Sequence, residues 1–127
     1  MVNKQKRGPA GNLVSNGEGD LAAELNFIPT EFALSQNYPD PFNPSTQIQF
    51  DLPERSNVKI VIYDILGREV MTLVNGELEA GRYREVWEGR DHFGRTLSSG
   101  VYLYRMTASS LTGNKYLASL RKMLLLR

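Results

Sequence analysis

The sequence contains no cysteine among its 127 residues. This absence excludes disulfide bridges, thiolate metal sites and cysteine nucleophiles together. It leaves the compartment open, because a secreted domain with a sufficient core can fold without bridges. Lys and Arg number 15 against 14 Asp and Glu, for a net charge of +1. So balanced a charge gives no field that would favour nucleic acid or an anionic membrane as a partner.

Long apolar runs are also missing. The longest beyond residue 60 is the short run 123–126, far too short to cross a bilayer as a helix, so we predict no transmembrane segment. Lys4, Lys6 and Arg7 could begin a signal peptide, but Gly-Pro-Ala-Gly-Asn follows instead of an apolar stretch.

Catalytic patterns are absent as well. The single histidine, His92, stands beside Asp91 in a predicted turn, where a solvated role is expected. Ser98 or Ser99 could complete a Ser-His-Asp set, but no nucleophile elbow surrounds them. The glycine-rich stretches lack the Lys-Ser/Thr of a phosphate loop, and no EF-hand spacing of calcium ligands occurs. We therefore predict a non-catalytic protein without a cofactor; the sequence leaves bound calcium or glycan open.

What the sequence does contain is a series of strand signals, clearest over residues 58–74. Val58, Ile60 and Ile62 alternate with Lys59, Val61 and Tyr63, the period of a strand with one buried face. A tight turn and a second β-rich run, 70–74, follow. This pattern predicts a hairpin, and a second layer must cover its apolar face because a lone hairpin is not stable.

The turn in this hairpin combines Asp64 with Gly67. An aspartate at the start of a turn can bond the backbone two residues on, and the glycine supplies the positive φ of a type I turn with a bulge. Asp91 and Gly94 repeat the same spelling, Asp-x-apolar-Gly-Arg. We predict two similar tight turns here, and a further turn residue at Gly100 before the next strand.

Further strands are predicted at 47–52, 83–87, 101–106 and 115–126, with a loop bracketed by Asn75-Gly76 and Ala80-Gly81. In 83–87 Val86 faces away from Tyr83 and Trp87, which predicts a bulge or an exposed strand end. Six or seven short strands with turn signals between them, and no helical period, predict an all-β antiparallel sandwich.

Two flanking segments differ from the strands. Residues 1–31 are rich in Gly, Asn and charge, a composition typical of a linker or arm; within it an apolar cluster could dock as a strand or a helical turn, namely Leu21, Leu25, Phe27 and Ile28. Three prolines in residues 38–46 predict a rigid, extended lead-in. The sandwich domain is therefore predicted to span residues 32–127.

Five segments of this domain, in order, resemble the C-terminal sorting domain of type IX secretion cargo. They are Tyr38-Pro39-Asp40-Pro41-Phe42-Asn43-Pro44-Ser45-Thr46, Val61-Ile62-Tyr63-Asp64 with Gly67-Arg68, Trp87-Glu88-Gly89-Arg90-Asp91, Ser99-Gly100-Val101-Tyr102 and Lys122-Met123-Leu124-Leu125-Leu126-Arg127. Asp40 stands where that family usually has Asn, and Glu88 where it usually has Asp. The same module resembles the immunoglobulin-like domain of flagellar hook-capping proteins.

The resemblance implies an immunoglobulin-like sandwich of about seven strands at the end of a large exported protein, extracellular or at the cell surface. Its partners would be an outer-membrane translocon and cell-surface components, including lipopolysaccharide. Recognition and anchoring would fall on the last motif, which comprises Lys122, Met123, Leu124, Leu125, Leu126 and Arg127. No acidic residue follows Asp91, so the basic residues beyond it either solubilise edge strands or form a surface for an acidic partner.

The sequence leaves two questions open, one about a sugar-binding face and one about assembly. Trp87 with Tyr83, Tyr102 and Tyr104 could line a sugar-binding face, although a sandwich core is the favoured interpretation. As an alternative function, the apolar cluster of the arm could add a strand to the open edge of a second copy, which would build a filament of secreted subunits. Part of a flagellar cap scaffold is a third possibility.

Overall fold

The protein is described by a computed structural model that covers residues 28–127. In this range the chain forms seven strands and no helix. The strands are β1 Ala33–Leu34, β2 Thr46–Leu52, β3 Ser56–Tyr63, β4 Glu69–Leu78, β5 Gly81–Trp87, β6 Gly100–Ser110 and β7 Tyr116–Leu125. All pair antiparallel, in one sheet ordered β1-β2-β5 and another ordered β4-β3-β6-β7. The predicted antiparallel β-sandwich of about seven strands is confirmed.

The core follows from the period-2 alternation of the strands. Along β2 the side chains of Ile48, Phe50 and Leu52 are buried while Gln47 and Gln49 face solvent. The two sheets place their apolar faces together, and the buried side chains form one cluster. Strand β3 lies between β4 and β6, so its inward face is fully covered. No helix long and apolar enough to span a membrane occurs in residues 28–127.

The sequence predicts a loop that begins directly after residue 74, and this boundary is wrong. Strand β4 continues through Asn75 and Gly76 to Leu78, and Gly76 pairs with Val58 of β3. Cross-strand pairing with the central strand outweighs the turn preference of the Asn-Gly pair, because strand formation depends strongly on the neighbouring strand. Register shifts in this pair near Val61 and Tyr63 accommodate the extra residues of β4.

Strand β5 needs no bulge to resolve its mixed pattern. It pairs with β2 in an unbroken register from Thr46↔Trp87 to Leu52↔Gly81. Because β5 is an edge strand, Val86 simply faces solvent with 51% of its surface exposed. The predicted alternative of an exposed strand position therefore holds.

The proline segment (residues 36–45) is fixed to both sheets by a buried polar network. Asn37 is 2% exposed, and its side-chain amide donates to Thr46 Oγ1 at 3.0 Å and to the Pro39 carbonyl at 3.1 Å. Its main-chain N–H donates to the hydroxyl of Tyr104 at 2.8 Å, and that hydroxyl donates in turn to the Ser35 carbonyl at 2.8 Å. Thr46 belongs to one sheet and Tyr104 to the other, so the network joins the two layers.

Beyond this network the proline segment closes part of the edge of β7. The amide of Leu124 donates to Asp40 Oδ1 at 3.0 Å. Phe42 pairs with the strand through both of its main-chain groups, each at 3.0 Å, donating to Leu124 and accepting from Leu126. About half of the β7 edge is thereby covered, and covering an edge in this way prevents unwanted strand pairing.

We expect Tyr104→Phe to lower the free energy of unfolding by about 1–3 kcal/mol, because it leaves the buried Asn37 amide and the partly buried Ser35 carbonyl without their partner. Denaturant unfolding at pH 7 measures this. Tyr63→Phe, at a half-buried position, serves as the matched control and should change stability little; equal losses in both variants would contradict the network's importance.

The buried side chain of Tyr104 also predicts that the folded state loses stability at alkaline pH. Burial raises the pKa of Tyr104 to about 12, whereas an unfolded tyrosine titrates near pH 10. The stability contributed by the neutral phenol is present below about pH 10 and is lost as the pH rises towards the folded pKa. Melting temperatures measured from pH 9 upward should fall more steeply for wild type than for Tyr104→Phe; parallel curves would contradict this assignment.

Candidate functional site

One end of the sandwich gathers most of the predicted turn and recognition residues. We define the turn end as residues 64–68, 89–99 and 126–127. Residues 64–68 connect β3 to β4, residues 89–99 connect β5 to β6, and residues 126–127 follow β7. Neighbouring pairs tie these segments together, because Gly100 pairs with Leu125 and the main chain of His92 donates to the Val70 carbonyl at 3.0 Å.

The first turn is closed by Asp64 from both its main chain and its side chain. The Asp64 amide donates to the Arg68 carbonyl at 2.9 Å, and the Gly67 amide donates to the Asp64 carbonyl at 2.9 Å. Asp64 Oδ1 accepts from the amides of Leu66 and Arg68, and Arg68 Nε donates to Asp64 Oδ2 at 2.7 Å. Gly67 has a φ of +84°, which a side chain would strain.

The second turn repeats these bonds one for one. The Asp91 amide donates to the Arg95 carbonyl, and the Gly94 amide donates to the Asp91 carbonyl. Asp91 Oδ1 accepts from the amides of Phe93 and Arg95, and Arg95 Nε donates to Asp91 Oδ2 at 2.8 Å. Gly94 has a φ of +83°. The shared spelling of residues 64–68 and 91–95 therefore builds the same conformation twice.

Both aspartates are held in the ionised form. The main-chain amide of Arg68, followed by the other turn donors, lowers the pKa of Asp64. At Asp91 burial alone would raise the pKa, but the amides of Arg95 and Phe93 and the Arg95 guanidinium outweigh it, so the pKa is lowered there too. Carboxylates that accept several hydrogen bonds behave in this way.

These rigid turns hold large apolar side chains in solvent. Ile65 is 70% exposed, Leu66 74% and Phe93 71%. The Arg95 guanidinium lies over the Phe93 ring at 4.9 Å from its centroid, a cation–π contact that fixes the ring further. A groove of about 290 Å³ runs beside the first turn, between Leu66 and the residues that lead into β6. These exposed apolar side chains were not predicted from the sequence. The feature that could have indicated them is the presence of apolar residues inside each otherwise polar turn.

Arg127 fixes the remaining segment of the turn end. Its amide donates to Ser99 Oγ at 2.8 Å, its Nε to the Leu97 carbonyl at 2.6 Å, and its Nη2 to the Gly89 carbonyl at 2.8 Å. Gly89 has a φ of +70°, and a Cβ there would lie 2.7 Å from Arg127 Nη2 and 3.2 Å from Leu125 Cδ2. The glycine thus permits both the backbone conformation and the close approach of Arg127.

The predicted recognition motif divides into inward-facing and outward-facing residues. Met123 and Leu125 belong to the core at 1% and 0% exposure. Lys122 is exposed, and Leu124 is half-buried on the outer face of the four-stranded sheet. Leu126 is 48% exposed at the turn end. Gly100 is the first residue of β6.

Other predicted residues lie elsewhere. Leu21, Leu25 and Phe27 of the arm lie outside the described residues, while Ile28 is 48% exposed. The basic residues beyond Asp91 do not share one surface: Arg95 and Arg127 lie at the turn end, Arg105 and Lys122 on the outer face of the larger sheet, and Arg121 donates to the Leu34 carbonyl.

Of the four aromatic candidates for a sugar face, Trp87, Tyr102 and Tyr104 lie in the core, and Tyr83 packs against it while half-buried. Trp87 is 2% exposed, its ring contacts Phe42 and Tyr102, and its Nε1 donates to the Arg90 carbonyl at 2.9 Å. Tyr104 is fully buried. Residues 28–127 contain no group of three or more His, Cys, Asp or Glu side chains that could hold a metal ion.

Comparison with known proteins places residues 38–112 within the FlgD Ig-like domain model. No curated protein matches the sequence. Among solved structures, dimeric latent PorU from Porphyromonas gingivalis matches 75% of this chain at 22% identity with a TM-score of 0.60, and the chain spans 9% of PorU. FlgD from Xanthomonas campestris matches 80% of this chain at 20% identity with a TM-score of 0.52, over 75% of its own length. These two likenesses establish the fold alone.

We expect Gly67→Ala to cost about 1 kcal/mol of stability, because the positive φ strains a side chain although no atom lies within 4 Å of the new Cβ. Gly89→Ala should cost more, since the same strain is joined by collision with Arg127 and Leu125. Denaturant unfolding of both variants measures the difference; a Gly89 variant as stable as the Gly67 variant would contradict the packing described for Arg127.

The turn aspartates predict acid sensitivity. Because their folded pKa values lie below the ordinary value of 3.8, the stability they contribute is present above about pH 4 and is lost as the pH falls through the folded pKa values. The double variant Asp64→Asn with Asp91→Asn should therefore show a shallower fall of melting temperature on acidification than wild type. Arg68→Gln with Arg95→Gln retains the main-chain donors and should keep most of the wild-type fall; equal slopes in all three proteins would contradict the assignment.

Proposed function

From the premise that this chain belongs to the FlgD Ig-like domain family, we propose that it is a non-catalytic module recognised by the outer-membrane machinery of type IX secretion. Recognition would lead to export and to anchoring at the cell surface. The family match supports the module and its fold. The five sequence segments that resemble type IX sorting domains support the particular machinery.

The observation that carries the proposal is the convergence of those five segments. Asp64 and Gly67-Arg68 of the second segment, together with residues 87–91, 99–102 and 122–127, lie at or beside the turn end. The fifth, residues 38–46, reaches the same place, because Phe42 packs on Trp87 and pairs beside Leu125. Segments this far apart in sequence thus lie close together in the fold, where a single partner could contact their exposed residues.

The physical character of that surface suits a protein partner. Ile65, Leu66 and Phe93 together expose apolar area that a partner would remove from water. The hydrogen-bonded turns fix the backbone that carries these side chains before binding, so less backbone entropy is lost on association than for an unstructured loop. Anchors of this kind, large and pre-positioned, contribute most of the affinity of protein interfaces.

Export of a fused carrier tests the proposal. We expect the full chain, attached after an inert carrier protein, to direct the carrier through type IX secretion in a competent host. Leu66→Glu with Phe93→Glu should abolish export without unfolding the domain, because both side chains are mostly solvated. Leu111→Glu, an exposed residue in the turn between β6 and β7 at the opposite end, is the matched control and should leave export unchanged.

Deletion of residues 122–127 is a weaker test, although it too should abolish export. The deletion removes Met123 and Leu125 from the core, so it confounds recognition with folding. The substitutions avoid this problem, provided that their melting temperatures match that of the control. Secretion of the Leu66→Glu with Phe93→Glu carrier at the wild-type level would exclude the turn end as the recognised surface.

A further inference from the structure

The edge of β7 is closed over one half and open over the other. From Lys122 to Leu126 the proline segment covers it, through the Lys122 carbonyl, the Leu124 main chain and the Leu126 amide. From Tyr116 to Leu120 no residue in the range 28–127 hydrogen-bonds to it from that side. Within residues 28–127, five residues of strand, about 17 Å long, therefore have no strand paired along this edge.

The geometry of antiparallel pairing shows which groups are unpaired. The Lys115 carbonyl accepts from the Ser110 amide of β6, and main-chain groups on a strand alternate between its two sides. The even-numbered residues therefore face away from β6. On the closed half Lys122 and Leu124 follow this rule, since both bond to the proline segment. On the open half the N–H and C=O groups of Tyr116, Ala118 and Leu120 face outward in the same way.

The surroundings of this open edge are cationic and partly apolar. Tyr116 is 65% exposed and Leu120 is 58% exposed, with Arg105 opposite Leu120 in the register. Lys115 and Lys122 flank the stretch, and the Asp40 carboxylate, which accepts from the Leu124 amide, lies on the closed half of the edge. None of the ion pairs within the described part of the chain uses these three cations.

The closed half shows what kind of segment this edge accepts. There an Asp-Pro-Phe segment lies along the strand, with the Asp40 carboxylate accepting an edge amide and Phe42 pairing through its main chain. An acidic side chain thus satisfies an edge donor while an apolar residue of the same segment is buried. A ligand for the open half would repeat this chemistry beside lysine and arginine, where its charge is favoured.

We infer that residues 116–120 of β7 form a docking site for an extended peptide with alternating acidic and apolar residues, which adds to the sheet as a further strand. Main-chain hydrogen bonds to Tyr116, Ala118 and Leu120 would bind it, and Lys115, Lys122 and Arg105 would select its charge. The inference concerns a different surface from the turn end and does not depend on the export role.

Titration of the full chain with a capped pentapeptide of alternating glutamate and valine tests this inference by NMR. We expect saturable binding, with the largest shifts at the amides of Tyr116, Ala118 and Leu120. Ala118→Pro removes one outward donor on an edge strand, where proline is tolerated, and should weaken binding about threefold to tenfold. Lys122→Glu should weaken it about fivefold, whereas Arg84→Glu, which carries the same charge change on the exposed face of β5, should not.

Two probe controls separate strand addition from charge attraction. A lysine–valine pentapeptide should not bind. In the acidic peptide only every second main-chain amide can face β7, so N-methylation of that set should abolish binding and N-methylation of the other set should not. Equal binding of both methylated peptides, or shifts confined to other strands, would overturn the inference. Slow hydrogen exchange at Ala118 and Leu120 in the peptide-free protein, without peptide binding, would also overturn it, because another part of the chain or a second copy would then occupy the edge.

Discussion

The buried amide of Asn37 is the contact on which the arrangement of this sandwich depends. The side-chain amide of Asn37 donates to Thr46 of one sheet, and its main-chain N–H donates to Tyr104 of the other. These bonds hold the proline segment against both sheets. A buried polar group is expensive unless every partner is present, at about 1–3 kcal/mol for each unsatisfied group. The proline segment can therefore make all of these hydrogen bonds in only one position on the sandwich. In that position Asp40 and Phe42 reach β7 and Phe42 reaches Trp87, so the sheet edge and the packing at the turn end both follow from it.

Much of the fold is readable from local patterns. Strand β2 alternates so regularly that its buried face follows from the sequence, whereas in β3 Val61 is buried as well as Val58, Ile60 and Ile62. The Asp-x-x-Gly-Arg spelling indicates a turn because its bonds all lie within five residues. Prediction from local patterns fails where pairing with another strand overrides the preference of the residues themselves. Asn75 and Gly76 favour a turn locally, yet β3 draws them into β4. The two residues of β1 carry no strand signal and owe their conformation to β2.

The candidate site could be predicted only in pieces. Its motif segments are visible in the sequence, but their meeting at one end depends on the order of strands in both sheets, which no local pattern encodes. The last motif shows the same limit. Its run of apolar residues gives no indication that Met123 and Leu125 fill the core while Leu124 and Leu126 face outward, since that division depends on the register of β7 against β6.

The bonds that hold the proline segment against β6 and β7 join residues far apart in the chain. Gln36 and Lys122 are separated by 86 positions, Asp40 and Leu124 by 84, and Asn37 and Tyr104 by 67. The hairpins β3–β4 and β6–β7 close over a few residues and are expected to assemble early, whereas the loop-closure entropy of these long connections delays the docking of the proline segment. During that interval β7 is unprotected along its whole length. The period of greatest risk for aggregation is therefore late in folding, when the hairpins exist and the edge has not yet been covered.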